Sequence, residues 1–234
     1  MIWAPLILLL LLIADSTAAE VPSSERSRAA VARVEPRLKE TLAKRGLKLG
    51  SPVFIRIFKQ PAQLEFWIKK DTTFRLFRVY DICKFSGHLG PKLKEGDGQA
   101  PEGIYTVAAR QMNPNSNYHL SFNLGFPNAY DRQHRRTGSA LMVHGACASI
   151  GCYAMGDDAM EEIWTLCVRA LEAGQSSFSV HCFPFRLTPE NLKQHTAAQW
   201  LPFWLELQPI YQHFEQKRLP PLIRTRNGKY EIVD

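Results

Sequence analysis

The chain has 234 residues, 45% hydrophobic and 22% charged, and its 29 Lys and Arg against 22 Asp and Glu give a formal charge of +7. This composition suits a folded domain with a sizeable core and excludes a disordered or collagen-like chain. A single continuously apolar stretch excludes a polytopic membrane protein. Five cysteines leave at least one thiol unpaired within the chain. A pI near 9.2 favours anionic surroundings, such as nucleic acid, lipid headgroups or cell-wall polymer.

The first nineteen residues have the features of a secretory signal. A short apolar core is followed by small residues, with Thr17 and Ala19 at the positions that precede a cleavage site. The alternative is an uncleaved anchor, but the apolar run Ile2–Ala14 is shorter than the ~20 residues that a spanning helix needs. We expect cleavage after Ala19 and export to the periplasm. Removal of this segment, whose one charged residue is Asp15, raises the formal charge from +7 to +8.

Residues 20–50 are polar and rich in Arg and Lys, and they predict a leader or a short helix. Val34, Leu38 and Leu42 recur at helical spacing, and Pro36 is expected only near a helix start.

A period-two pattern begins after residue 52. Three alternating segments, residues 53–58, 64–69 and 74–82, predict strands joined as a meander. Residues 86–103 are rich in Gly, Lys and Pro and predict a long loop, of a kind that is often functional. A further short strand is predicted at residues 104–108.

An amphipathic helix is predicted after residue 158. Asp158 is expected to cap it, with Glu161 three residues on, and Gly174 to end it. Its apolar stripe consists of Met160, Ile163, Trp164, Cys167, Val168 and Leu171. A strand at residues 178–182 follows, and the pattern turns helical again in residues 189–216.

A Cys–His constellation carries the chemistry. A short apolar strand leads into His144, and a loop of small residues then leads to Cys152. A thiolate is a nucleophile and a nearby imidazole can take its proton. Gly151 allows the backbone to approach a substrate, and amides around Cys152 are candidates to face an oxyanion.

Three other interpretations of these residues stay open. Cys147 and Cys152 could form a structural disulfide. With His144 and either His181 or Cys182 they could instead hold zinc, although no second Cys-x-x-Cys exists. The cysteines could also be small core residues, and Cys167 and Cys182 lie on predicted buried faces.

The His-Gly pair followed by Ser-x-Gly-Cys resembles the signature of the YkuD-type L,D-transpeptidases. The resemblance extends over residues 50–215, through separated motifs that look like those of the YafK branch of that family. These motifs are Ile82–Gly87, Leu89–Lys92, Gly96–Asp97, Pro101–Tyr105, Gly125–Arg132 and Gly151–Met155.

The resemblance implies roles for individual residues. Cys152 matches the nucleophile and His144 the general acid/base. Ser149 and Gly151 match the motif that shapes the nucleophile loop and the oxyanion hole. Two departures from the broader family are Ile150, where a His is usual, and Ala154, where an Arg or Asn is usual; both look like features of the YafK branch.

The resemblance also implies the reaction, acyl transfer at diaminopimelate in peptidoglycan stem peptides through a thioester. The acceptor is an amine in a transpeptidase, or water in a hydrolase (amidase) that releases murein-bound lipoprotein. Tyr130, Asp131 and Arg132 are candidates to orient the substrate. Lys92, Arg132, Arg135 and Arg136 lie in segments that could approach the site, although single surface charges are usually just solvated.

The expected fold is α+β and β-rich, and its sandwich arrangement is what the resemblance implies. The expected divisions are a signal peptide (1–19), a polar leader (20–50), a catalytic domain (51–188) and a C-terminal helical extension packed on it (189–234). No cofactor, no metal, no nucleic-acid partner and no stable membrane span are expected. A non-catalytic wall-binding module is the main alternative function. Cys83 and Cys147 lie in branch motifs and could pair with each other or with another cysteine.

Overall fold

The computed structural model describes residues 20–233, and the predicted signal lies outside them. Its helices are α1 Glu25–Lys44, α2 Ala129–Gln133, α3 Asp157–Glu172, α4 Pro189–Gln194 and α5 Leu201–Lys217. Its strands are β1 Val53–Phe58, β2 Gln63–Lys70, β3 Thr73–Asp81, β4 Lys84–Phe85, β5 Gly103–Ala108, β6 Met112–Asn113, β7 Ser121–Asn123, β8 Met142–His144, β9 Tyr153–Ala154, β10 Ser177–Phe183, β11 Ile223–Arg226 and β12 Lys229–Ile232. Among the described residues, no helix combines the length and the apolar character that crossing a membrane requires.

The first sheet has the strand order β3-β2-β1-β10-β5. The meander predicted from period-two alternation is confirmed, because β1 pairs antiparallel with β2 and β2 with β3. β10 joins β1 in parallel and β5 in antiparallel orientation. All six residues of β1 are buried, since helix α5 brings Phe203, Trp204 and Phe214 into clusters with the face of this sheet that carries Phe54 and Phe58.

The second sheet is small and carries the candidate site. Its order is β4-β9-β8-β7-β6, and β8 and β9 at its centre are parallel. One buried cluster joins residues of both sheets with α1 and α3. The α+β, β-rich fold class predicted from the sequence is therefore confirmed.

Helix α1 corrects the expectation of a polar leader or a short helix. It runs for 20 residues with Pro36 inside it, and its face of Ala30, Val34, Leu38 and Leu42 is buried in the main core. The Arg and Lys residues that made the segment look like a leader lie on the other face. Arg33 and Arg37 there form ion pairs with Glu161 and Glu162 of α3.

Helix α3 also differs from the prediction at its start. Gly156 is the N-cap, with φ +76°, and no side chain caps the helix, so the expected cap by Asp158 is wrong. The carboxylate of Asp157 instead accepts a hydrogen bond from the amide of Ala146 at 2.6 Å. This contact ties the helix start to the loop that precedes Cys152.

Candidate active site

Cys152 and His144 lie at neighbouring strands of the second sheet. In the parallel pair β8–β9, Val143 is opposite Tyr153 and His144 is opposite Ala154. Cys152 directly precedes β9, and its Sγ lies at the amide of Met142, the first residue of the strand that ends at His144.

The thiol of Cys152 is half-buried and unpaired with any other cysteine. The amide of Met142 donates to its Sγ at 3.4 Å, and the Sγ faces the carbonyl of Ala140 at 3.6 Å. Burial raises the pKa of Cys152, while the Met142 amide and the Lys92 ammonium oppose that rise. The resting side chain is therefore a neutral thiol that needs a base.

His144 is the residue that the sequence predicts as a base. Its ring is buried, and its Nδ1 donates to the carbonyl of Gly145 at 2.5 Å, which leaves Nε2 as the basic nitrogen. Burial lowers the pKa of His144, so the ring is neutral and able to accept a proton. No hydrogen bond joins His144 to Cys152 within residues 20–233, and such catalytic contacts often tighten only when substrate binds.

Tyr118 is a site residue that no sequence motif indicated. Its ring lies 4.8 Å from that of His144, centroid to centroid, at an interplanar angle of 35°. Tyr118 is 45% exposed, so it covers the imidazole from the solvent side. Only the approach of the turn before β7 to the end of β8 brings the two rings together.

The nucleophile loop, residues 145–152, is held by hydroxyl groups. Ser149 Oγ donates to the carbonyl of Cys152 at 2.7 Å, and the amide of Gly151 donates to Ser86 Oγ at 2.5 Å. Gly151 has φ +113°, a conformation in which an L side chain would be strained. Ser149 and Gly151 thus shape this loop, and the Gly151 amide is already occupied by Ser86.

The apex of the nucleophile loop is apolar and open. Ile150, where a His is usual in the broader family, is 87% exposed and lies two residues before Cys152. An exposed isoleucine beside a reactive thiol is available to contact a substrate or partner rather than to relay protons.

A disulfide joins Cys83 and Cys147, with 5.5 Å between their Cα atoms. Both residues are exposed, and the bond links the segment before β4 to the nucleophile loop. It excludes a Cys147–Cys152 disulfide and a zinc site that uses Cys147. Within the described part of the chain, no cluster of three or more His, Cys, Asp or Glu side chains could hold a metal ion.

The three candidate substrate-orienting residues differ in exposure. Asp131 is fully buried, where it pairs with Arg136 at 2.8 Å and accepts from Tyr105 at 3.2 Å. Tyr130 is 2% exposed and stacks on Tyr230 at 4.2 Å. Arg132 is exposed and donates to the carbonyl of Pro127. Asp131 and Tyr130 can therefore affect a substrate only through the segment they support.

The basic residues near the site differ in burial and in their partners. The ammonium of Lys92 is the one whose charge influences Cys152, although it is bound to Asp97 at 2.5 Å and is mostly buried. The ion pair, together with hydrogen bonds from the amides of Lys94, Leu93 and Gln99, lowers the pKa of Asp97 to about 2 against the opposing effect of burial. Arg135 is exposed, with a left-handed backbone.

The other thiols are core residues, as predicted. Cys167 and Cys182 are fully buried, and burial raises the pKa of both. Two further histidines have partners elsewhere, since His119 bonds to Glu161 and His195 stacks on Phe185.

Several solved structures are distantly similar to the chain, and two of them illustrate the similarity. The helical cell shape determining protein Pgp2 from Campylobacter jejuni is 16% identical, with a TM-score of 0.45 and 80% of each chain covered. Bdellovibrio bacteriovorus Bd1075 is 14% identical, with a TM-score of 0.41, over 76% of this chain and 78% of that one.

Sequence comparisons are much closer. Residues 54–173 match the family model described as "YkuD: L,D-transpeptidase catalytic domain". The Escherichia coli K12 protein described as "Putative L,D-transpeptidase YafK" is 46% identical over 184 residues, which cover 79% of this chain and 75% of that protein. The matched range contains β1 to α3 and with them the Cys152–His144 site. The chain therefore belongs to the YkuD family of L,D-transpeptidase catalytic domains.

Proposed function

We propose that the chain is a cysteine acyltransferase that acts on peptidoglycan stem peptides at diaminopimelate, through a thioester on Cys152. The observation that carries the proposal is a half-buried free thiol directly before β9, next to the strand β8 that ends in a neutral imidazole, while two other free thiols are buried in the core. Membership of the L,D-transpeptidase family supports the substrate class.

In the first half-reaction, His144 Nε2 takes the proton of the Cys152 thiol as Sγ attacks the carbonyl carbon of the diaminopimelate residue. A C–S bond forms and the carbonyl oxygen takes the negative charge. The tetrahedral species then expels the amine, the C–N bond breaks, and the imidazolium returns its proton to that amine. Because both groups begin neutral, the base acts during attack and no resting ion pair is needed.

The oxyanion needs backbone donors that are not already bonded. The Gly151 amide donates to Ser86, so the amide of Cys152 itself is the candidate within the nucleophile loop. The loop is held for this role by Ser149, by the Ser86 contact and by the Cys83–Cys147 disulfide.

In the second half-reaction, an amine or a water molecule attacks the thioester carbonyl. An amine makes a new cross-link, and water releases the acyl group, including a lipoprotein joined to the wall through it. Both outcomes use the same acyl-enzyme, and both place the protein in the periplasm, where the wall lies. A disulfide between exposed cysteines is consistent with an oxidising compartment of this kind.

The thioester is tested with purified protein and isolated muropeptides. We expect intact-protein mass spectrometry to detect an adduct that maps to Cys152 and is removed by hydroxylamine. Cys152→Ala should abolish the adduct and the activity, and Cys167→Ala, which removes a buried thiol, should retain both. Full activity of Cys152→Ala would refute the proposal, and murein binding without any adduct would favour a non-catalytic wall-binding module.

The acceptor is tested with intact lipoprotein-loaded sacculi. Release of lipoprotein into the supernatant indicates that water is the acceptor, and new diaminopimelate cross-links among the digested muropeptides indicate an amine. The Cys152→Ala protein is the control, because both products require the thiol.

A further inference from the structure

A groove lies between the segment that follows β4 and the start of α5. Its cavity of about 610 Å³ is bounded by the segment after β4, by the end of β1 and by the residues before and in α5. Aromatic and amide side chains dominate its lining, notably Phe85, Trp200, Trp204, Gln60 and Gln199. None of these residues has a role in the proposed thioester chemistry.

Trp200 is fixed in this groove with a free polar edge. Gly90 has φ +123°, and a Cβ there would come within 2.3 Å of the Trp200 Nε1, so the indole lies directly against a backbone that only glycine leaves open. The indole is half-buried, and its N–H has no partner among the described residues. A flat apolar face and an available donor are therefore presented together.

The groove offers no free Lys or Arg charge. Lys59 is the single Lys or Arg in the lining, and its ammonium is fully buried. This ammonium pairs with Glu102 at 3.1 Å and donates to the carbonyls of His88 and Gly90. Glu102 in turn accepts from the Trp204 indole at 2.9 Å. A neutral ligand meets no uncompensated Lys or Glu charge there, and the other basic side chains of the lining are the imidazoles of His88 and His195.

The side chains that remain available are uncharged donors and acceptors. Gln60 and Gln199 are exposed, and their side-chain amides make no hydrogen bond within residues 20–233. Together with the indole faces, they match a pyranose ring, which has an apolar C–H face, hydroxyls at its edge and, when N-acetylated, an amide.

Gln99 lies between the groove and the nucleophile loop. The carbonyls of His88 and Gly90, which belong to or adjoin the groove wall, accept from Gln99 Nε2 at 2.6 and 2.7 Å. The Gln99 backbone oxygen would lie 3.4 Å from a Cβ on Gly151, the residue before Cys152. The groove wall and the nucleophile loop are therefore both close to Gln99.

We propose that this groove binds a neutral N-acetylated oligosaccharide, stacked on Trp200. This proposal rests on the proposed function, because the glycan strand that carries the stem peptides is itself an N-acetylated polysaccharide. The glycan would lie in the groove while its stem peptide reaches Cys152.

Binding is tested apart from catalysis, with the full chain carrying Cys152→Ala. The probe is a β-1,4-linked tetramer of N-acetylglucosamine, followed in ¹H–¹⁵N spectra of the indole groups. We expect the indole signals of Trp200 and Trp204 to shift with saturation, and those of Trp67 and Trp164, which lie outside the groove, to stay in place. No shift at millimolar tetramer, or equal shifts at all four indoles, would overturn the proposal.

Variants locate the contact. Trp200→Ala should weaken tetramer binding at least tenfold, and Trp200→Phe should keep most of it. Gln199→Ala, an exposed substitution with little effect on folding, should weaken binding severalfold. Leu205→Ala, which alters a 48% exposed residue of α5 outside the groove, should bind as the parent does. Unchanged binding in both Trp200→Ala and Gln199→Ala would refute the site.

The ligand class is tested with a sugar-free stem peptide. If it shifts the same indole signals as strongly as the tetramer, the carbohydrate assignment is wrong. Because no thioester is needed in these measurements, absence of the acyl-enzyme would count against the proposed function and leave the sugar result standing. Loss of tetramer binding with an intact acyl-enzyme would count only against the groove.

Discussion

At the scale of single residues, the candidate site combines a neutral thiol, Cys152, with a neutral imidazole, His144. Burial sets this state for both groups, since it raises the pKa of Cys152 and lowers that of His144. The Lys92 ammonium opposes the shift on the thiol, but its charge is bound by Asp97. The nucleophilicity of Cys152 therefore depends on proton transfer during the reaction.

The alkylation rate of Cys152 tests this state. Only the thiolate reacts with iodoacetamide, and the pKa of the Cys152 thiol is raised above its ordinary value of 9.0. The alkylation rate should therefore rise about tenfold per pH unit as the pH approaches 9, with no plateau. Mass spectrometry should locate the label on Cys152, while the sealed thiols Cys167 and Cys182 stay unlabelled in the native protein. A plateau below pH 8 would instead show a preformed thiolate.

Tyr118 offers a second test at this scale. Because the Tyr118 ring lies against the imidazole and is exposed, Tyr118→Ala should lower kcat on the order of tenfold through loss of ring orientation, with an unchanged urea midpoint. Tyr118→Phe keeps the ring and should keep most of kcat. An unaltered kcat in Tyr118→Ala would show that β8 alone orients His144.

At the scale of elements, the short strands of the second sheet are joined by long-range bonds. The Cys83–Cys147 disulfide closes a 64-residue separation, and the Ser86–Gly151 hydrogen bond closes one of 65. β4, β8 and β9 have only two or three residues each, so their pairing alone gives little stability. The disulfide is the strongest of the ties on the nucleophile loop.

Removing the disulfide should therefore affect both stability and activity. For a loop of this size, Cys83→Ser/Cys147→Ser should lower the free energy of unfolding by about 2–4 kcal/mol, measured by urea denaturation. Acyl-enzyme formation should slow as the loop loosens. Dithiothreitol should reproduce both effects in the parent protein and change nothing in the double variant. If acyl-enzyme formation is unchanged by loss of the disulfide, Ser86 and Ser149 are sufficient to hold the loop.

At the scale of the whole molecule, helix α5 covers one face of the first sheet. The imidazole of His181 is buried on that face. His181 on β10 is 1% exposed, lies 4.7 Å from the Phe54 ring, and neither of its ring nitrogens has a partner among the described residues. Burial, with the nearby Arg56 charge, lowers the pKa of His181 to about 3.

This burial predicts how stability depends on pH. The unfolded chain takes up a proton near pH 6.5 that the folded state accepts only near pH 3. The contribution of neutral His181 is therefore fully present above 6.5 and is lost as pH falls, by about 1.4 kcal/mol per unit. His181→Phe, which keeps a ring between Phe54 and Phe183, should flatten the unfolding free energy between pH 6.5 and 5. An equal slope in both proteins would contradict the assignment.

The secondary-structure predictions that were confirmed rest on patterns among residues close together in the sequence. Period-two alternation identified β1, β2 and β3, and helical spacing identified the buried stripe of α3, because strands and helices repeat their burial every two or 3.6 residues. For α1, helical spacing identified Val34, Leu38 and Leu42, but it indicated neither the 20-residue length of the helix nor its place in the core. Its charged face suggested a polar leader, and the ion pairs that accommodate its arginines come from α3, more than a hundred positions away.

The sequence by itself determined the family, the longer strands β1, β2, β3, β5 and β10, and the candidates for nucleophile and base, because reactive residue types and local periodicity are visible in consecutive positions. Only the tertiary structure decided the partner of Cys147, the placing of Tyr118 and Ser86 around the site, and the burial of Tyr130 and Asp131. Those outcomes depend on which distant segments pack together, and packing is a property of the whole folded chain. The roles of Cys152 and His144 stay predictions, whose decisive test is the thioester.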